Sequence, residues 1–78
     1  MVEPSSIASS IRAGLAVTHV QVTGDGAHFE AVIVSPSFAG LNRVRQHQLV
    51  YAALGERMRE EIHALSMKTY SPEEWAAL

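Results

Sequence analysis

The chain has 78 residues, 47% of them hydrophobic, a formal net charge of −2 and no cysteine. This length predicts a single domain, residues 1–78, whose thin core leaves no room for an enclosed catalytic cavity. The lack of cysteine excludes a disulfide framework, a thiol nucleophile and an iron–sulfur cluster held by the chain's own thiolates, and the charge argues against binding nucleic acid by bulk charge. The apolar runs are too short to span a membrane, so we expect no membrane contact and a cytoplasmic location.

The first half of the chain predicts a helix followed by a hairpin. Residues 4–16 carry two isoleucines and a leucine four positions apart, which is one apolar stripe of a helix. Apolar and polar residues then alternate in residues 18–23 and 28–34, on either side of Gly24-Asp25-Gly26. Because this glycine-rich sequence favours a tight turn, the two alternating segments are predicted to form an antiparallel hairpin.

A long central helix is predicted from about Asn42 to Met58. Its apolar and semi-apolar residues recur three and four positions apart, which is typical of a buried helical stripe. The predicted stripe comprises Val44, His47, Tyr51, Leu54 and Met58, with Val50 widening it. We therefore expect His47 to be a packed structural histidine, whereas His19, on the polar face of the first strand, is expected to be solvated.

The last segment predicts a third strand, about Ile62 to Tyr70, and a short helix after it. Ser71 and Glu74 form a capping box around Pro72 at the first helical position, and Trp75 is expected to dock this helix on the sheet. The element order is α-β-β-α-β-α, and a right-handed crossover makes the third strand parallel to the second. The expected fold class is α+β, with a three-stranded mixed sheet and the helices on one face.

Enzyme motifs are absent from the sequence, so we expect a protein that is not an enzyme. It contains no nucleophile elbow, phosphate-binding loop or zinc-protease motif, and no two glycines lie three apart, so the GxxG clamp of KH modules is missing. Imidazole is a possible metal ligand at His28, after the hairpin turn, and at His63, but their separation defines no metal site. Arg43 and Arg45 form either a solvated helix end or a docking patch for an acidic or phosphate-bearing partner.

Several stretches together resemble the BolA family. They are Gly24–Phe29, Phe38–Leu41, His47–Tyr51 and Ile62–Trp75. The most specific is the last, in which a His-Ala-Leu strand is followed by Ser-Pro-x-x-Trp. The resemblance covers nearly the whole chain in the same order and spacing, and it implies a class II KH-like α-β-β-α-β-α fold without the GxxG loop.

The resemblance also implies a function. BolA-like proteins pair with monothiol glutaredoxins and share a bridging [2Fe-2S] cluster with the glutaredoxin and glutathione, in cluster assembly, trafficking or iron regulation. The expected role is therefore a non-catalytic adaptor that holds no cofactor alone and is a monomer or a weak homodimer. His63 matches the family's C-terminal histidine ligand. The loop position of the second ligand corresponds to Asp25, so that ligand is His28, Asp25 or neither, and we favour His28.

The alternative that the resemblance leaves open is a DNA-binding transcriptional regulator of the BolA type. Such a protein would use Arg43, Arg45 and Lys68 to contact the phosphate backbone. The central helix reads Arg45-Gln46-His47-Gln48 where many family members have Arg-His-Arg, so a role that depends on that basic trio is in question.

Overall fold

The computed structural model describes residues 2–62 and 64–78. The helices are α1 Pro4–Gly14, α2 Arg43–Leu54, α3 Arg57–Glu60 and α4 Pro72–Ala76, and the strands are β1 His19–Gly24, β2 His28–Val34 and β3 Ala64–Tyr70. A 3-10 turn, Pro36–Phe38, leads from β2 towards α2. The predicted order α-β-β-α-β-α is confirmed, and the short α3 is added between α2 and β3.

The sheet is mixed and has the strand order β1-β2-β3. β1 pairs with β2 in antiparallel fashion and β3 pairs with β2 in parallel fashion, as predicted. Alternation along β2 turns Phe29, Ala31 and Ile33 to one face, where all three are buried. This face forms the core with buried residues of α1 and α2, namely Ile7, Ala8, Ile11, Val50 and Leu54. The α+β class and the three-stranded mixed sheet are therefore confirmed.

The opposite face of the sheet is covered at one end by Trp75. His19, Val34 and Tyr70 form one row across the three strands and point away from the core face. The Trp75 indole stacks on the His19 ring at 5.0 Å between centroids and contacts the Tyr70 ring at 5.4 Å. Trp75 thus docks α4 on the sheet, as predicted, on the face opposite to α1 and α2 and beside the row that contains the buried Val34. The expectation that His19 is solvated was wrong, because the indole covers its ring.

The central helix is shorter than predicted. α2 ends at Leu54, and Gly55 follows with φ of 58°, a left-handed conformation that ends a helix at low cost only when the residue is glycine. Met58 therefore belongs to α3 and not to the central helix. α1 ends at Gly14, the glycine at which the apolar segment 4–16 is expected to leave the helix. A β-carbon at Gly14 would meet Ala53 at 2.9 Å, so this glycine allows α1 and α2 to approach closely.

The buried face of α2 also differs from the predicted stripe. Gln46, Val50 and Leu54 are buried, at a four-residue spacing, whereas Val44 is 65% exposed and Tyr51 is 41% exposed. The prediction is confirmed for Val50 and Leu54 but was wrong for Val44 and Tyr51, because it followed apolar and semi-apolar residues and left Gln46 out. A glutamine lies on the buried face, and the helix is rotated from the direction that the apolar residues indicate.

Gln46 tolerates burial because each polar atom of its amide has partners. Its Oε1 accepts hydrogen bonds from Arg43 Nη1 at 2.8 Å and from Thr69 Oγ1 at 2.6 Å. Its Nε2 donates to the carbonyl oxygens of Phe38 at 3.1 Å and Leu41 at 3.0 Å. The glutamine therefore ties α2 to β3 and to the loop that precedes α2.

The ends of the third strand can be compared with the prediction only in part. β3 begins at Ala64 and not at Ile62, which is buried before it. His63 lies outside the described residues. Among the helices described, none combines the length and apolar character needed to cross a membrane.

Candidate functional site

The turn between β1 and β2 is organised by Asp25. Its Oδ1 accepts hydrogen bonds from the backbone N–H groups of Ala27 and His28, both at 2.9 Å, and its own N–H donates to the His28 carbonyl at 3.2 Å. The N–H of His28, followed by that of Ala27, lowers the pKa of the Asp25 carboxyl below its usual 3.8. Asp25 is therefore an ionised turn residue with one carboxylate oxygen already bonded to the backbone.

His28 lies at the edge where the two parallel strands begin. It is the first residue of β2, its backbone pairs with Ala64 at the start of β3, and its side chain is exposed. Because Phe29 next to it enters the core, the alternation of the strand holds His28 on the opposite, uncovered face. The His28 imidazole is therefore accessible to a second molecule.

The structure brings together two of the three predicted metal ligands. Asp25 and His28 share one turn, and Asp25 holds the backbone of His28. The position of His63 lies outside the described residues, although in sequence it directly precedes Ala64, which pairs with His28. Within residues 2–62 and 64–78, no group of three or more His, Cys, Asp or Glu side chains has the placement to hold a metal ion.

The predicted nucleic-acid residues do not form one patch. The Arg43 guanidinium donates to Gln46 Oε1 and to the Thr69 carbonyl, lies 3.8 Å from the Glu74 carboxylate and faces the Tyr70 ring at 5.9 Å. Its role is to join α2, β3 and α4. This network could not be predicted from the sequence, because its central residue, Gln46, interrupts the apolar pattern that predicts burial.

The other two basic residues lie on different sides of the molecule. Arg45 is exposed on α2, which packs on the core face of the sheet. Lys68 is exposed on β3, next to the buried Thr69, and so projects from the opposite face.

Comparison with known proteins establishes the family. The family model of BolA-like protein matches residues 8–74. The chain belongs to the BolA-like family. A BolA-like relative, the acid stress protein IbaG of Escherichia coli K12, is 41% identical over 75 residues, which are 95% of this chain and 89% of IbaG. The DNA-binding transcriptional regulator BolA of Haemophilus influenzae is 41% identical over 59 residues, 76% of this chain and 57% of that protein.

A solved BolA-like structure agrees with the fold. The bolA protein homologue from Coxiella burnetii superposes with a TM-score of 0.86 at 46% sequence identity, over 97% of this chain and 99% of that one. This match confirms the predicted fold, and with the family model it confirms the resemblance found in the sequence.

Proposed function

We propose that this BolA-like chain is a non-catalytic adaptor that docks on a monothiol glutaredoxin and contributes imidazole to a [2Fe-2S] cluster shared with that partner and glutathione. The observation that supports it is the exposed His28 side chain, fixed by the Asp25 turn at the edge where β2 and β3 begin. The cytoplasm, where glutathione keeps thiols reduced, is the compartment that suits this role. The proposal assigns the protein to cluster assembly, trafficking or iron regulation.

The chemistry of the available side chains fits such a cluster. Iron in [2Fe-2S] centres accepts imidazole in place of thiolate, so a chain without cysteine can contribute ligands when the partner and glutathione supply the thiolates. His63 and His28 are the proposed ligands, because Ala64, which follows His63, pairs with His28. Asp25 is the weaker candidate, since two backbone N–H groups already hold one of its carboxylate oxygens.

Addition of this protein to a cluster-loaded monothiol glutaredoxin with glutathione tests the proposal. We expect the visible circular dichroism spectrum to change as a heterodimer forms, and we expect His63→Ala to suppress that change. His28→Ala should weaken the change, and Asp25→Ala should leave it nearly intact. His19→Ala is the matched control, because His19 lies in the row at the opposite end of the sheet. A wild-type protein that leaves the spectrum unaltered would contradict the proposal.

A second candidate, DNA binding, is supported by the relatives named as DNA-binding transcriptional regulators. The geometry limits this candidate, because the Arg43 guanidinium already has hydrogen-bond and ion-pair partners within the protein, and Arg45 and Lys68 lie on different sides. Specific retardation of a DNA fragment in a gel, weakened between about 50 and 200 mM salt, would support it. Arg45→Ala and Lys68→Ala, measured separately, would then show which side of the sheet faces the phosphates.

A further inference from the structure

The described chain on the two sides of His63 is held in different ways. After it, Ala64 begins β3, and its backbone pairs with His28 in β2. Before it, Ile62 is buried, and its N–H donates a hydrogen bond to the Arg57 carbonyl at 2.9 Å. Strand pairing fixes the chain after His63, whereas the chain before it depends on α3, of which Arg57 is the first residue.

Helix formation alone cannot hold α3 in place. The helix has four residues, and one turn forms too few hydrogen bonds to offset the cost of nucleating a helix. The half-buried Met58 packs against the core, but apolar contacts have no directional preference. The orientation of α3 therefore depends on polar contacts with the rest of the molecule.

The Arg57 side chain supplies these polar contacts. Its Nη1 donates to the Ser6 carbonyl at 3.0 Å and to Ser10 Oγ at 2.6 Å, and its Nε donates to Glu61 Oε2 at 2.6 Å. Ser6 and Ser10 belong to α1, 51 and 47 residues away in sequence, so one guanidinium joins the first helix to the residues that precede His63. Because a guanidinium is planar and its donors point in fixed directions, these bonds set the orientation of α3 as well as its position.

Arg59, two residues further along α3, makes no comparable connection to another described element. Its side chain is 82% exposed, and its ion pair is with Glu56 of the same turn, at 3.6 Å. The Arg57 side chain is 24% exposed, so water weakens its ion pair with Glu61 less. The two arginines share a helix and a charge and differ in their contact with α1.

We propose that Arg57 is a positioning residue for His63, because it fastens α3 to α1 and so fixes the chain that leads to His63 through Ile62. The inference rests on the proposed function, in which His63 is a ligand of the shared cluster. A ligand on an ordered backbone loses less conformational entropy when it binds. Groups that orient metal ligands typically change metal affinity by about 10- to 100-fold, and we expect the lower figure because Arg57 acts through the backbone.

Titration of a cluster-loaded monothiol glutaredoxin with variants of this protein tests the role. In the presence of glutathione, Arg57→Ala should need about a ten-fold higher concentration than the wild type for the half-maximal change in visible circular dichroism. Arg57→Lys should recover part of the loss, because an ammonium keeps the charge but cannot reproduce the fork that reaches both α1 and Glu61. Arg59→Ala is the matched control and should need the wild-type concentration, since its ion pair is exposed.

Amide hydrogen exchange of the protein without cluster or partner provides a second readout. Loss of the contact with α1 should let the segment open locally, so the Ile62 N–H should exchange about ten-fold faster in Arg57→Ala than in the wild type. The N–H of Ile33, which is fully buried in the sheet, should change less, because it reports opening of the whole sheet. Equal acceleration at both amides would show that Arg57 only stabilises the fold, and would overturn the positioning role.

Ser10→Ala tests the same contact from the side of α1. It removes one acceptor of Arg57 while alanine favours the helix, so the variant should fold. It should raise the half-maximal concentration by about three-fold, whereas Ser9→Ala, exposed on the same helix, should not. Arg57→Ala and Ser10→Ala proteins that titrate like the wild type would overturn the positioning role and leave the adaptor proposal intact. A wild type that leaves the dichroism spectrum unaltered would overturn both.

Discussion

The two ends of the parallel strand pair differ in how they use polar residues. Where β2 and β3 end, Ser35, Thr69 and Ser71 are buried and hydrogen-bonded, and Gln46 and Arg43 connect Thr69 to α2. Where the same strands begin, the polar residues described are exposed, and their bonds stay within one turn. We call these the closed end and the open end.

The polar side chains at the closed end stabilise the fold, whereas those at the open end are accessible to a second molecule. At the closed end nearly every polar side chain has a partner within the protein, so its chemistry is used for folding. At the open end His28 is positioned by its backbone while its side chain faces solvent. A ligand offered to a second molecule needs this combination of a fixed backbone and a free side chain. The account therefore predicts large stability effects at one end and functional effects at the other.

The largest stability effect is expected at Gln46, in the closed end. Gln46→Ala leaves the buried carbonyl of Phe38 and the Thr69 hydroxyl without their partner, so the free energy of unfolding should fall by about 3 kcal/mol. Urea unfolding followed by circular dichroism measures it. Gln48→Ala is the control, because Gln48 is exposed on the same helix, and it should change the value by less than about 0.5 kcal/mol. Similar losses in the free energy of unfolding for both variants would contradict the claim that the buried polar residues of the closed end stabilise the fold.

The second largest stability effect is expected at Trp75, whose indole stacks on His19. Trp75→Ala removes this stack and the contact with the Tyr70 ring, so the free energy of unfolding should decrease by about 2 kcal/mol. Tyr51→Ala provides a comparison of similar exposure, 41% against 38% for Trp75, without a ring partner among the described residues. Its loss should be about 0.5 kcal/mol. Equal effects would mean that the indole stack adds nothing to simple burial.

One carboxylate at each end should make stability fall in acid. The N–H of Ser71 lowers the pKa of Glu74 below its usual 4.5, as the N–H of His28 does for Asp25. A lowered folded-state pKa stabilises the fold above the unfolded-state pKa, and this contribution is lost as pH falls through the folded-state value. Unfolding curves from about pH 6 to pH 3 should therefore show a decline. Asp25→Asn with Glu74→Gln should flatten it, and an unchanged decline would contradict the assignment.

The smallest stability effect is expected at the open end. His28→Ala removes an exposed side chain on the uncovered face, so the free energy of unfolding should change by less than about 0.5 kcal/mol. Thermal or urea unfolding is sufficient to measure it. A loss above about 1 kcal/mol would show that the imidazole stabilises the fold. The distinction between the open end and the closed end would then not hold.

Local patterns predicted most of the fold. Alternation in β2 placed Phe29, Ala31 and Ile33 in the core, and the Ser71-Pro72-x-Glu74 sequence predicted the capping box that the structure contains. The errors arose where contacts with other parts of the chain decide which side chains are buried. Gln46 is buried because Thr69, 23 residues away, and Phe38, 8 residues away, bind its amide, and counting apolar residues along one helix cannot detect these partners.

The candidate site was predictable to a smaller extent. The turn sequence placed Asp25 and His28 together, but the commitment of the Asp25 carboxylate to the backbone is a matter of three-dimensional geometry. The engagement of Arg43 likewise required the fold, since its acceptor on Thr69 is distant in sequence. The role of His63 as a ligand remains a prediction from the family resemblance.

The most direct test of the adaptor account is pulsed EPR of the reduced [2Fe-2S] cluster in the mixture of this protein, a monothiol glutaredoxin and glutathione. With the histidines of this chain alone labelled with ¹⁵N, the account predicts ¹⁵N couplings to the cluster. They should disappear in His63→Ala, become weaker in His28→Ala and persist in the His19→Ala control. A cluster spectrum without nitrogen coupling from this chain, or couplings that survive loss of both His63 and His28, would contradict it.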